Sequence, residues 1–147
     1  MNRRRGILSG LPAMLFAVVA CAGDGTGLDE FGRPLGTDIP ELAPTLSSIQ
    51  ANIFGPICTQ CHTGAAAPLG LRLDPGASRA DLVGVPSIEK PELWRVTPGQ
   101  PDSSYVVWKI EGHPEAAGGR MPLGLPPLSG DQITVIREWI ANGAAED

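Results

Sequence analysis

Residues 57–64 read ICTQCHTG. Cys58 and Cys61 are separated by two residues, and His62 follows the second thiol directly. That spacing admits three chemistries: a redox dithiol, half of a zinc centre, or covalent attachment of a haem. The surrounding sequence has to decide among them.

A structural zinc site needs four ligands. The chain offers these three residues, His113, Cys21 and scattered carboxylates, with no second CxxC. A thioredoxin-like dithiol expects its first cysteine at a helix N-terminus, after a strand and inside a βαβ pattern. Here an apolar-striped helical segment and Gly55–Pro56 precede Cys58 instead. Haem attachment uses every part of the motif. Two thiols spaced in this way reach one porphyrin edge, and the adjacent histidine offers a nitrogen to iron. A covalently fixed apolar disc would also supply a core for a chain carrying 19 glycines and 15 prolines, where side-chain packing alone is thin.

An electron-transfer haem of this type wants a second axial ligand, most often Met or His. Met1 and Met14 lie in the N-terminal leader, which leaves Met121 in GGRMPLG. His113, between Gly112 and Pro114, is the competing ligand, and an open iron is the third possibility. Pro122 restricts the backbone after Met121, while Gly118 and Gly119 allow the chain a close approach to the ring.

Working outward, Arg3, Arg4 and Arg5 precede an apolar run over residues 15–19 and then small residues. This is the layout of an export signal over residues 1–20. The stretch VVAC (18–21) is similar to a bacterial lipobox and makes Cys21 the expected lipidation site. Residues 21–43, rich in Gly, Asp and Pro without periodicity, read as a flexible tether. The formal charge of the full chain is −5, and loss of the three leader arginines makes the mature protein more acidic. That balance argues against nucleic acid as a partner.

The domain over residues 44–147 reads as all-α. Leu46, Ile49 and Ile53 form one stripe of a first helix, capped by Thr45 and ended by Gly55–Pro56. A brief extended piece is expected at Leu69, Leu71 and Leu73, and helical turns over residues 78–84. A helix over Tyr105–Ile110 takes Asp102 or Ser103 as its cap and stops at Gly112. Residues 113–127 hold too much Gly and Pro for regular structure. Ser129 and Gln132 form a capping box for a last helix with Ile133, Ile136 and Ile140 on one face, closed by Asn142–Gly143. The first and last helices are expected to pack together.

CTQCH followed by a helix, then a Met-Pro loop, then a C-terminal helix resembles the class I, mitochondrial-type cytochrome c domain. The stretches ADLVGVPS, RVTPGQPDSSYVVWKIEG and GGRMPLG are similar to small monohaem c-type domains of bacterial envelope lipoproteins. The likeness spans residues 44–144. It implies a small cytochrome c fold of short helices and Gly/Pro-rich loops around one covalent haem c. It further implies His62 as proximal and Met121 as distal iron ligand, with Cys58 and Cys61 as thioether anchors. In the wider family a proline carbonyl orients the proximal histidine, and Pro68 is the nearest downstream candidate. Arg95, Arg120, Tyr105, Trp94 and Trp108 are candidate donors to the haem propionates.

The function implied is single-electron transfer, without substrate chemistry, on the periplasmic side of a bacterial envelope. The lipid anchor would hold the protein to the inner or outer membrane, with redox proteins as partners. Two alternatives stand beside it: a haem sensor or peroxidase-like protein with an open or His113-ligated distal site, and an electron-transfer subunit of a larger oxidoreductase.

Overall fold

The structure, a computed structural model, describes residues 42–147. The leader over 1–20, the acylation expected at Cys21 and the tether up to residue 41 lie outside the described residues. Leu42, the next residue, already packs against the core.

Every regular element among the described residues is helical, and extended backbone pairs only at isolated bridges joining Val83 to Val96, Pro86 to Trp94 and Trp94 to Ser104. Helix α1 covers Leu46–Ile49, with the Thr45 hydroxyl accepting from Ser48 N–H at 3.3 Å as the sequence predicts. It then widens into a π-type turn over Gln50–Phe54 instead of continuing as a regular α-helix. Two contacts account for the widening. Asn52 Nδ2 donates to the Ser48 carbonyl at 2.8 Å, competing with the Asn52 N–H that an α ladder would place there. Gly55 N–H reaches the Gln50 carbonyl at 2.9 Å, and a Cβ at Gly55 would lie 2.8 Å from that oxygen. Only glycine fits.

Helix α2 covers Ser78–Leu82 and buries Leu82. Helix α3 covers Tyr105–Glu111 and ends at Gly112, in the left-handed region at φ 76°. Its N-cap position is Ser104, not Asp102 or Ser103, which belong to a separate 3₁₀ turn over Pro101–Ser103. The Ser104 hydroxyl turns away from the helix, donating to the Gln100 carbonyl and accepting from Thr97 N–H, each at 2.9 Å. Local side-chain bonding thereby tightens the approach to α3 and leaves its first turn uncapped by a side chain.

Helix α4 covers Gly130–Ala141, and its capping box forms as read from the sequence. Gln132 N–H donates to the Ser129 hydroxyl at 3.2 Å, and Ser129 N–H donates to Gln132 Oε1 at 2.9 Å. Ile136, Trp139 and Ile140 are buried and share one core with Ile49 and Ile53 of the first helical segment. Large side chains of this kind each contribute about 1.5–3 kcal/mol when fully buried. Arg137 fastens α4 to its neighbours, bonding Glu111 at 3.1 Å and Asp102. Helices α1 and α4 are in contact, as are α3 and α4. This frame leaves the Cys58 segment and the loop after α3 facing a common hollow.

Candidate functional site

Immediately after Gly55–Pro56 the chain makes a 3₁₀ turn over Cys58–Gln60. The Cys58 carbonyl accepts from His62 N–H at 2.9 Å and from Cys61 N–H at 3.2 Å. This turn brings Cys58, Cys61 and His62 onto the wall of one cavity of ≈ 340 Å³, and Met121 lines the same cavity. The four residues singled out in the sequence are therefore gathered at one site, although Met121 lies far along the chain.

The cavity wall is predominantly aliphatic, with Ile53, Phe54, Leu73, Leu82 and Leu128 among its buried members. Its size falls within the range of about 300–1,000 Å³ common to small-molecule and cofactor sites. Leu69, Ile88, Leu123 and Leu125 also line it while remaining exposed, Leu123 at 67%. These are four of the five large exposed apolar side chains among the described residues. Apolar surface concentrated in this way around a hollow fits a broad apolar ligand.

His62 lies within reach of the Leu71 carbonyl, with Nδ1 to O at 3.1 Å. A carbonyl can only accept, so this bond places the ring proton on Nδ1 and leaves the Nε2 lone pair for a metal. Such a carbonyl partner fixes both tautomer and ring orientation. Pro68, the nearest downstream candidate under the resemblance, lines the cavity and opens a 3₁₀ turn over Pro68–Gly70, but the accepting carbonyl belongs to Leu71. Leu69 and Gly70 both take positive φ, 55° and 61°, and turn the backbone before Leu71 resumes an extended course. The extended piece foreseen over Leu69–Leu73 is thus shortened at its start.

Arg95 explains that turn. Arg95 is buried, 9% exposed, and it lines the cavity. Its guanidinium donates to the Leu69 carbonyl at 2.7 Å, the Asp81 carbonyl at 2.8 Å and, more weakly, the Gly70 carbonyl at 3.5 Å. One side chain thereby holds the two carbonyls just ahead of Leu71. Of the candidate propionate donors, Arg95 and Tyr105 lie on the cavity wall, whereas Trp94, Trp108 and Arg120 do not. Trp108 Nε1 donates to the Asp102 carbonyl at 2.8 Å, and Arg120 Nε to the Ile110 carbonyl at 2.7 Å.

Lys109 and Glu89 also line the cavity, and the sequence reading passed over both. Lys109 Nζ lies 3.2 Å from Glu89 Oε2. One signal was available: Lys109 stands four residues after Tyr105 in YVVWKI, on the same helical face.

His113 sits elsewhere. Its ring stacks on Trp108, with centroids 3.9 Å apart and planes 18° apart, and it does not line the cavity. Its Nδ1 accepts from Glu115 N–H at 3.2 Å.

The two thiols are unlinked. Burial pushes the Cys58 thiol up to about 11, so it is protonated at neutral pH. A dithiol oxidoreductase relies on the opposite shift, toward thiolate. Among the described residues no three His, Cys, Asp or Glu side chains converge as metal ligands, and a four-ligand zinc centre has no donor set there. The residues present fit a haem better: two unlinked thiols, one oriented imidazole, one thioether and an apolar hollow. No helix among the described residues is long and apolar enough to cross a membrane. Comparison with protein-family models, curated proteins and solved structures finds no match to this chain.

Proposed function

We propose that this chain is a monohaem c-type cytochrome of the class I kind, tethered through Cys21 in a bacterial envelope, that carries single electrons between redox proteins. The observation that carries the reading is the convergence of Cys58, Cys61, His62 and Met121 on one apolar cavity, with His62 Nδ1 directed to a backbone carbonyl. When bound, the haem would supply a ferric/ferrous couple, and a thioether ligand from Met121 would raise its potential.

The protein's own part follows from the wall. Cys58 and Cys61 would anchor the group, His62 and Met121 would hold the iron, and Leu71 would keep the imidazole in one tautomer. The aliphatic residues of the wall exclude water, which favours the less charged state of a buried redox centre. Arg95 and Tyr105 offer donors to carboxylates at the cavity edge. The place of His113 against Trp108 supports Met121 as the distal ligand.

The test is a pyridine haemochrome of the protein purified from a host that matures c-type cytochromes. Thioether-type spectra that are lost in the Cys58→Ala/Cys61→Ala double variant support the reading. Absence of covalent haem in wild type would overturn it.

A further inference from the structure

The loop between α3 and Met121 is held chiefly from one side. Ala117 N–H donates to Tyr105 Oη at 3.0 Å, and Lys109 Nζ donates to the Ala117 carbonyl at 2.5 Å. Both polar groups of one loop residue are therefore gripped by side chains one helical turn apart on α3. Lys109 acts a second time, because its backbone carbonyl accepts from Met121 N–H at 2.8 Å. At the next residue, Gly118 takes φ 66°, and a Cβ there would lie 3.7 Å from Nζ. The chain thus turns directly over the ammonium.

The burial of these groups makes the arrangement more than a surface contact. Lys109 is 8% exposed and Tyr105 3%. An ammonium withdrawn from water this far is costly unless it is paired and hydrogen-bonded. Glu89 supplies the pair and Ala117 the carbonyl acceptor.

We propose that Lys109, with Tyr105 and its counter-charge Glu89, is the positioning device that presents Met121 to the iron. The proposal rests on the axial ligation above. Removing the ammonium would free the Ala117 peptide and let residues 113–121 lift, so that the thioether leaves the cavity for part of the time. The distal ligand would then be governed by an ion pair, buried on its lysine side, that never touches the iron.

The experiment uses the full haem-loaded protein, at a temperature where far-ultraviolet circular dichroism is native for each variant. It reads two signals: the sulfur-to-iron charge-transfer band per haem, and amide hydrogen exchange at Ala117 and Met121. Lys109→Met is expected to lose at least about half of the band and to exchange roughly tenfold faster at both amides, the scale of one lost charge-assisted hydrogen bond. Lys109→Met/Glu89→Gln should behave alike, since removing the stranded carboxylate does not restore the grip. Lys109→Arg should restore most of the band. Tyr105→Phe, which removes the hydroxyl that accepts from Ala117 N–H, should shift both signals the same way by less, and it decides the matter if the lysine variants do not fold. Either signal unchanged in folded Lys109→Met, or in folded Tyr105→Phe where the lysine variants do not fold, would overturn the proposal. If wild type lacks the band altogether, the ligation reading fails instead, and the exchange data alone decide whether the grip on Ala117 exists.

Discussion

The two walls that carry His62 and Met121 are built on different principles. His62 is oriented from nearby in the chain: its ring bonds Leu71, and its carbonyl accepts from Leu73 N–H at 2.8 Å. The cation on that side, Arg95, is bonded to neutral carbonyls. Met121 lies at the end of a long loop, and the cation on its side, Lys109, is matched by a carboxylate. A guanidinium tolerates the first arrangement because its charge is spread over a planar fork that several carbonyls can share. An ammonium is a compact charge and calls for an anion. The histidine side is thus fixed by backbone geometry, and the methionine side by an ion pair.

The largest break in this comparison is expected from Arg95→Leu. It removes the buried guanidinium that donates to the Leu69 and Asp81 carbonyls and should lower unfolding stability by about 3 kcal/mol, read as a shift in denaturant midpoint at unchanged slope. The loss should be accompanied by faster amide exchange at Leu73, with Ala117 unaffected. An equal disturbance at both sites would mean that the walls are not independent.

Gly118→Ala attacks the other wall. A side chain at φ 66° costs roughly 1–2 kcal/mol, and the charge-transfer band should weaken while exchange at Leu73 stays slow.

Acid separates the walls more gently. Hydrogen bonds from Arg72, chiefly from its side chain, hold the Asp81 carboxyl below its ordinary value of 3.8. A depressed carboxylate contributes stability that is fully present above the unfolded value and lost as pH falls through the folded one. Native-state exchange near Arg72 should therefore accelerate below about pH 4, and Asp81→Asn should remove that part of the pH dependence.

The smallest effect belongs to His113→Ala. It removes a ring stack worth about 0.5–1.5 kcal/mol and should leave the haem spectrum unchanged.

What the sequence revealed follows from the range of each interaction. The α4 capping box and the Gly112 stop are encoded within a few residues, and both were legible. The alignment of Ile49, Ile53, Ile136 and Ile140 in one core followed from periodicity. The π-type turn escaped because an asparagine bond to a carbonyl four residues back leaves no mark on hydrophobic pattern. Pro68 was a candidate only because the resemblance points to a proline carbonyl; the turn that presents the Leu71 carbonyl instead rests on positive φ at Leu69 and Gly70, and a leucine gives no warning of it. Lys109 and Glu89 meet across 20 residues, and nothing local distinguishes them from charges on a solvated face. Arg95 was legible as a donor near the site, but its grip on Leu69 depends on tertiary placement.

The central claim is a covalent haem whose iron is held by His62 and Met121. Optical spectra of the oxidised and reduced protein test it most directly. The account predicts c-type thioether spectra in wild type, with a sulfur-to-iron charge-transfer band that disappears in Met121→Ala and persists in His113→Ala. A haemochrome without thioether character, or a band that survives Met121→Ala, would contradict it.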